Sequence, residues 1–500
     1  MTPKTRRIAA VRDTGERSPL LHDKRQPETY VAIADTCKDF PNEADPKIAQ
    51  ELQVLLSLVY PVVLTTGLEF LPGFTCIILS GHIDSPHAQQ FVDAATLSTM
   101  FMNITAFSVG SGLSTALDTL CSQAYGANRF DKIGVYFQTG CLVVGACFVP
   151  IFLLNWYSGE ILLLVGQDPE VAKLAQNFSR WAIFGVPFVF LYKLFRKVLQ
   201  AQNIMKPLVA IAAVGSFVNA VSGYLLTYHT SMGFEGIALS RSLGNMALPL
   251  MLVPYFYGNP HHFNQWWRGW NWGEARAQVR LFLKLGVPSF LMVATEWWAF
   301  EILTLMAGVL PNAVVSVSAH AVQVNLNNLI YMIFWGLAVA SNVRIGNCLG
   351  ANLPNQARLA CKVAQLLTLA ISIVFAVTMY LFRGEIPRLF LTDRESINRS
   401  AGLLAIWSPF EILDGQNTVL QGVYRGLGKQ KVAATVSTVA YYACGIPVAA
   451  LLGFRLALSV EGLWLGFGFG VFVSVSLLLC MLLGRWSWKE LAEEAQQRTA

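Results

Sequence analysis

Five acidic residues of this 500-residue chain stand in stretches that otherwise read as apolar. Glu296 and Glu301 lie within Ala294-Thr295-Glu296-Trp297-Trp298-Ala299-Phe300-Glu301, Glu411 and Asp414 are three positions apart, and Glu69 is the single charge between residues 52 and 83. A carboxylate in hydrocarbon costs about 2.5–3.5 kcal/mol on the insertion scale, so each needs a compensating role. Desolvation disfavours the charged form, so a carboxyl group kept from water and from cations can take up and release a proton near neutral pH. While ionised it attracts an organic cation. Proton and cation then compete for one site, which is the physical basis of exchange.

Spacing limits which of these groups can act together. On a helix Glu296 and Glu301 are about 140° apart and cannot both point at one spot; they line a wide cavity or take different partners. Glu411 and Asp414 share a face. Trp297 and Trp298 flank the acid and offer cation–π contact worth about 0.5–2 kcal/mol, but neighbouring residues face different ways, so at most one of them meets a ligand. Against these acids the spans hold one deep basic residue, Arg241, and one deep histidine, His320. No nucleophile–base pair and no metal-ligand spacing is visible, so no catalytic residue, metal or cofactor is expected.

The elements that must position these groups are membrane spans. Charged residues make up 13% of the chain and apolar ones 54%, where a soluble domain carries about 25% charged. Residues 302–343 carry no Asp, Glu, Lys or Arg; at roughly 20 residues per crossing they hold parts of two helices, with Pro311-Asn312 at the turn. We read twelve spans near 52–80, 93–117, 134–157, 180–200, 208–229, 236–257, 280–308, 313–339, 357–382, 401–424, 432–454 and 460–484. With the N-terminus placed in the cytoplasm, 28 of the 36 Lys and Arg residues fall on the cytoplasmic side, 7 outside, and Arg241 inside span 6. By the positive-inside rule both termini face the cytoplasm. The net charge of +6 sits in short loops rather than on one folded face, which argues against nucleic acid. Nine scattered cysteines read as packing residues, and Trp266, Trp267, Trp270 and Trp272 as an interfacial belt.

The two halves repeat. Gly126-Ala127-Asn128 recurs as Gly350-Ala351-Asn352, Asp168 as Asp393, and Glu235-Gly236 as Glu461-Gly462, at offsets of 224, 225 and 226 residues. Each half has an even number of spans, so the repeats are parallel, and transporters built this way bind substrate between rocking halves. The expected organisation is a disordered cytoplasmic N-terminus (1–50) holding an acidic dileucine sequence, Glu16-Arg17-Ser18-Pro19-Leu20-Leu21. A six-helix lobe (51–260), a cytoplasmic loop (261–279), a second six-helix lobe (280–484) and a cytoplasmic tail (485–500) follow.

At these residues the chain resembles the multidrug and toxic compound extrusion family in its eukaryotic branch, over nearly all of 50–490. The resemblance is carried by Ala116-Leu117-Asp118-Thr119-Leu120-Cys121-Ser122-Gln123-Ala124-Tyr125-Gly126-Ala127 and by Glu296-Trp297-Trp298-Ala299-Phe300-Glu301. It is also carried by Val343-Arg344-Ile345-Gly346-Asn347-Cys348-Leu349-Gly350-Ala351 and Tyr424-Arg425-Gly426-Leu427-Gly428-Lys429-Gln430-Lys431. It implies an all-α membrane protein, two pseudo-symmetric six-helix bundles forming a V, and export of small organic cations or related compounds in exchange for protons. The family's span 7 acids correspond to Glu296 and Glu301, its span 10 acid to Asp414, and Glu411 is an additional carboxylate; Glu296 is expected to be the main proton-and-substrate carboxylate, with Glu301 and Asp414 shaping the same cavity in the second half. Where animal members carry a Glu in span 8 this chain has Asn325, and near the Asp that bacterial members place in span 1 it has Cys76. A sodium-coupled exporter and a lipid-linked-sugar flippase are the alternatives within transport; a channel and a membrane enzyme lie outside it. The expected setting is a monomer in the lipid of a vacuolar, lysosomal or plasma membrane, using the proton gradient alone.

Overall fold

The structure, a computed structural model, describes residues 47–83 and 87–499. The dileucine sequence, Cys37 and most of the expected disordered segment lie outside the described residues. Within them the chain is all-helical, with twelve long elements in the expected order. They are α1 (Ile48–Gly81), α2 (88–126), α3 (Phe130–Trp156), α4 (169–201), α5 (Lys206–Tyr228), α6 (Phe234–Gly258), α7 (Trp272–Gly308), α8 (Ala313–Gly350), α9 (Pro354–Leu381), α10 (Arg394–Leu427), α11 (Gln430–Arg455) and α12 (Ser459–Gly484). Among the described residues nine helices are long and apolar enough to cross a bilayer. The remaining three are α2, which carries a π-helical turn at Asn103–Phe107, α4, which carries a 3-10 turn at Ile183–Gly185, and α10, whose polar stripe serves the site described below. A final helix, α13 (Trp488–Thr499), packs against α8, α9 and the end of α2.

The repeat seen as weak sequence matches is explicit in the backbone. Asn128 and Asn352 both adopt left-handed φ, at 57° and 59°, and turn the chain after α2 and α8. Asparagine tolerates this conformation better than most residues. Asp168 and Asp393 both cap helices, accepting from the backbone N–H groups of Glu170 and Val171 and of Ser396, respectively. The Ser396 N–H bond holds the Asp393 carboxyl below its ordinary range. Gly236 and Gly462 open α6 and α12 where any side chain would strike the end of the preceding helix, a Cβ falling 2.8 Å from Leu226 C and 2.6 Å from Leu452 C.

Some helices run past the expected span ends. α8 continues eleven residues beyond 339, to Gly350, because its last turns form the seam between lobes. There a Cβ on Gly126 would fall 2.0 Å from Asn347 O, and one on Gly350 2.1 Å from Gln123 O. Thr119 Oγ1 donates to Arg425 O at 2.6 Å and Gln123 Nε2 to Gly426 O at 2.9 Å. Residues from α13 reinforce the same seam: Arg498 Nη1 donates to Gln123 Oε1 at 2.5 Å, and Gln496 Nε2 donates to Gly350 O. At this end the lobes are closed on one another.

Candidate functional site

Three of the carboxyl groups singled out above come together inside the second lobe. Glu296 on α7 and Glu411 and Asp414 on α10 are all buried. Asp414 is the leading charged neighbour of both glutamates. Gln421 Nε2 donates to Glu296 Oε2 at 3.1 Å, Trp407 Nε1 to Glu411 Oε2 at 3.0 Å, and Asn327 Nδ2 makes a long 3.5 Å contact with Asp414 Oδ2. Glu411 Oε1 and Asp414 Oδ1 are buried with no hydrogen bond among the described residues. No Lys or Arg among the described residues hydrogen-bonds to any of the three. Around them Tyr331 and Tyr441 have Glu296 and Asp414 as electrostatic neighbours, and the Tyr441 hydroxyl is tied through Asn417 to Ser474 at 2.9 and 2.8 Å.

Arg425, one turn beyond Gln421, is the nearby cation. It is 1% exposed, lies 4.7 Å over the Trp335 ring, and none of its guanidinium nitrogens has a hydrogen-bond partner among the described residues. Its charged neighbours include Asp118 across the seam and Glu296.

Other candidates sit elsewhere. Glu301 does not share the cavity of Glu296 and Asp414 as expected: it is exposed, on a side of α7 that its angular separation from Glu296 allows. Asn325 is also exposed and its amide donates to Ala321 O at 2.9 Å; the asparagine at the acid cluster is Asn327. Trp297 faces away from Glu296 and lines a cavity in the first lobe. His320 joins α7, α8 and α12: Trp464 Nε1 donates to its Nδ1 at 3.2 Å, which leaves Nε2 to donate to Thr304 Oγ1 at 2.8 Å.

Three further readings need correction. Glu69 is not a carboxylate without a cation, because it pairs with Arg196. Nor is Arg241 alone in the helix interior. Lys197 binds Asp118 at 2.8 Å, and Arg344 grips Glu51 with two bonds of 2.7 and 2.9 Å, supported by Gln356 at 2.8 Å. Arg196, Lys197, Arg344 and Arg425 are buried helix residues rather than loop charges. Trp266 is likewise no part of an interfacial belt: it is fully buried, ringed by Phe137, Phe195 and Phe263, and donates to His262 O at 2.8 Å. The eight cysteines among the described residues are unbridged.

The residues that complete the acid cluster are legible as a stripe. Glu411, Asp414, Gln421 and Arg425 recur at steps of 3, 7 and 4 along α10, and Asn327 and Tyr331 stand 4 apart along α8. Such spacing puts them on one face. Attention to charges alone passes over the amides.

Comparison with known proteins agrees with this architecture. A family model described as MatE matches residues 61–225 and 288–451, one block in each lobe. The chain is 34% identical to mouse multidrug and toxin extrusion protein 1 over 453 residues, covering 90% of this chain and 78% of that one. It is 34% identical to the human protein of the same name over 449 residues, covering 89% and 77%. Among solved structures it matches the eukaryotic MATE transporter AtDTX14 with a TM-score of 0.83 at 29% identity, covering 91% of this chain and all of that one.

Proposed function

The chain belongs to the MatE family, a family of membrane transporters rather than enzymes, and from that premise we propose that it exports small organic cations in exchange for protons. The observation that carries this reading is the burial of Glu296, Glu411 and Asp414 in one cluster without a hydrogen-bonded cation. At an effective dielectric constant near 20, two unit charges 4 Å apart repel by about 4 kcal/mol. The three groups therefore hold protons in common in this sealed arrangement. When the second lobe opens to the cytoplasm, loss of a proton leaves a carboxylate that binds a cation. When it opens to the acidic side, protonation releases the cation. Alternation follows because the lobes seal only with the acids neutralised, by proton or by substrate.

Arg425 links the acids to the seam. Its side chain is flanked by Glu296 and Asp118, and its own carbonyl accepts from Thr119 of the other lobe. A change of charge at Glu296 therefore reaches the contact that must part when the lobes rock.

Drugs, toxins and secondary metabolites with a cationic centre are the substrate class, with no cofactor. The named relatives are multidrug and toxin extrusion proteins, and the same class of substrate is proposed here. The protein works as a monomer in a vacuolar, lysosomal or plasma membrane with both termini in the cytoplasm. That orientation still follows from the Lys and Arg distribution once the buried residues are set aside. The test is uptake of a fluorescent cation by vesicles containing the purified protein. An acid-inside gradient should drive uptake, an acid-outside gradient should suppress it, and a sodium gradient at constant pH should do nothing. Uptake that follows sodium, or ignores both gradients, would overturn the proposal.

A further inference from the structure

A cavity of about 290 Å³ lies in the first lobe, and two of the three charged residues in its lining are cations. Lys193 on α4 and Arg241 on α6 both reach the Phe107 ring, at 5.7 and 5.8 Å from its centroid. Their hydrogen bonds are to neutral groups, Lys193 to Ser111 Oγ and Arg241 to Thr99 Oγ1 at 3.0 Å. The one carboxylate in the wall, Glu69, is already bound to Arg196. Cys76, near the position where bacterial members place an Asp, lies beside Arg241 and brings no counter-charge. Two cations thus line one chamber: Glu69 lies near Lys193 but is ion-paired with Arg196, and no other acid among the described residues lines the wall. A cation in the membrane interior is costly unless something pairs with it.

We propose that this cavity is an anion-recognition site for a small aromatic organic acid, whose carboxylate is held between Lys193 and Arg241. Two cations converging on one space match a planar carboxylate, with the guanidinium supplying a forked donor pair and the ammonium a point charge. Phe70, Phe107 and Trp297 give the ligand's ring an apolar surface. The volume is at the small end of ligand pockets, roughly 300–1,000 Å³, which suits a one- or two-ring acid and not a lipid with its chains. The chamber is separated from the acid cluster by α7 itself, where Glu296 faces one lobe and Trp297 the other. The inference stands apart from proton-coupled cation export, since it concerns binding that needs no gradient.

The experiment is equilibrium binding of 1-naphthoate, followed by its fluorescence, to the full-length protein in phosphatidylcholine nanodiscs. Saturable binding is expected, with the neutral analogue 1-naphthamide at least about tenfold weaker, the loss typical of a hydrogen bond to a charged group. Lys193→Gln and Arg241→Gln should each weaken naphthoate by a similar factor. The charge-keeping Lys193→Arg should stay within about threefold of the parent, and Arg241→Lys, which keeps the charge but loses the fork, should fall between the parent and Arg241→Gln, which separates loss of charge from loss of fold. Equal binding of acid and amide, or naphthoate binding unmoved by either Gln variant, overturns the site. A second set of discs carries phosphatidylglycerol. Naphthoate affinity independent of it supports the soluble acid, and displacement of naphthoate by it would assign the two cations to a lipid headgroup instead.

Discussion

The interiors of the two lobes differ in the sign and the pairing of their charges. In the first lobe the acids at its cavity and at the seam are bound by bases, Glu69 by Arg196 and Asp118 by Lys197, and Lys193 and Arg241 are left over. In the second, Glu296, Glu411 and Asp414 have amides, an indole and one another, with no hydrogen-bonded base among the described residues. At the repeat offset of 225 the first lobe's Lys193 corresponds to Thr418, and at 226 its Arg241 corresponds to Phe467. The features kept in both halves are the ones that shape the backbone: left-handed Asn128 and Asn352, capping Asp168 and Asp393, and close-packed Gly236 and Gly462. Duplication preserved a container and left its contents free to diverge. A paired acid is part of the structure, whereas an unpaired one is available for exchange.

The sharpest way to break this contrast is to neutralise one acid from each lobe. Asp118→Asn strands the buried Lys197 and should cost about 3–5 kcal/mol, the usual penalty for removing one partner of a buried pair. It should be read as a large fall in the thermal unfolding midpoint, and Asp118→Leu with Lys197→Met should recover most of it. Asp414→Asn strands no base and should shift stability by less than about 1 kcal/mol. A midpoint that falls equally for both variants would erase the distinction.

Function should show the reverse order. Glu296→Gln is expected to lower pH-driven uptake of the fluorescent cation by at least about a hundredfold, the scale for a lost proton-transfer group, with protein yield unchanged. Normal uptake would remove Glu296 from the mechanism. A smaller effect sharpens the role of the seam. Deleting Trp488–Thr499 removes the Arg498–Gln123 and Gln496–Gly350 contacts. In a protein keeping only Cys348, a seam residue 1% exposed, thiol labelling should then rise several-fold. Smallest of all, Glu301→Gln changes an exposed carboxylate and should keep uptake within about threefold of the parent. A hundredfold loss there would place the working acid on the other face of α7.

The order of residues by itself determined the helices and the repeat. Charge-poor runs of about 20 residues point to helices, because backbone groups in hydrocarbon must bond within their own segment or around a closed barrel, whose strands are only about half that length. The repeat is legible because Gly, Asn and Asp at fixed offsets carry backbone duties that few other residues can fill. The angle between Glu296 and Glu301 keeps them from pointing at one spot, but the packing decides which of the two meets the other acids. What the residues do not say is which neighbour each face meets. Glu69 and Arg196 are 127 positions apart, and nothing local marks them as partners. Arg425 reads as a loop charge until α10 is seen to run on to Leu427. Helical periodicity determines the side from which a residue projects, while the packing of non-adjacent helices decides whether it finds a base, an acid or an empty chamber. For a carboxylate in a bilayer, that encounter is the difference between a structural tie and a site of exchange.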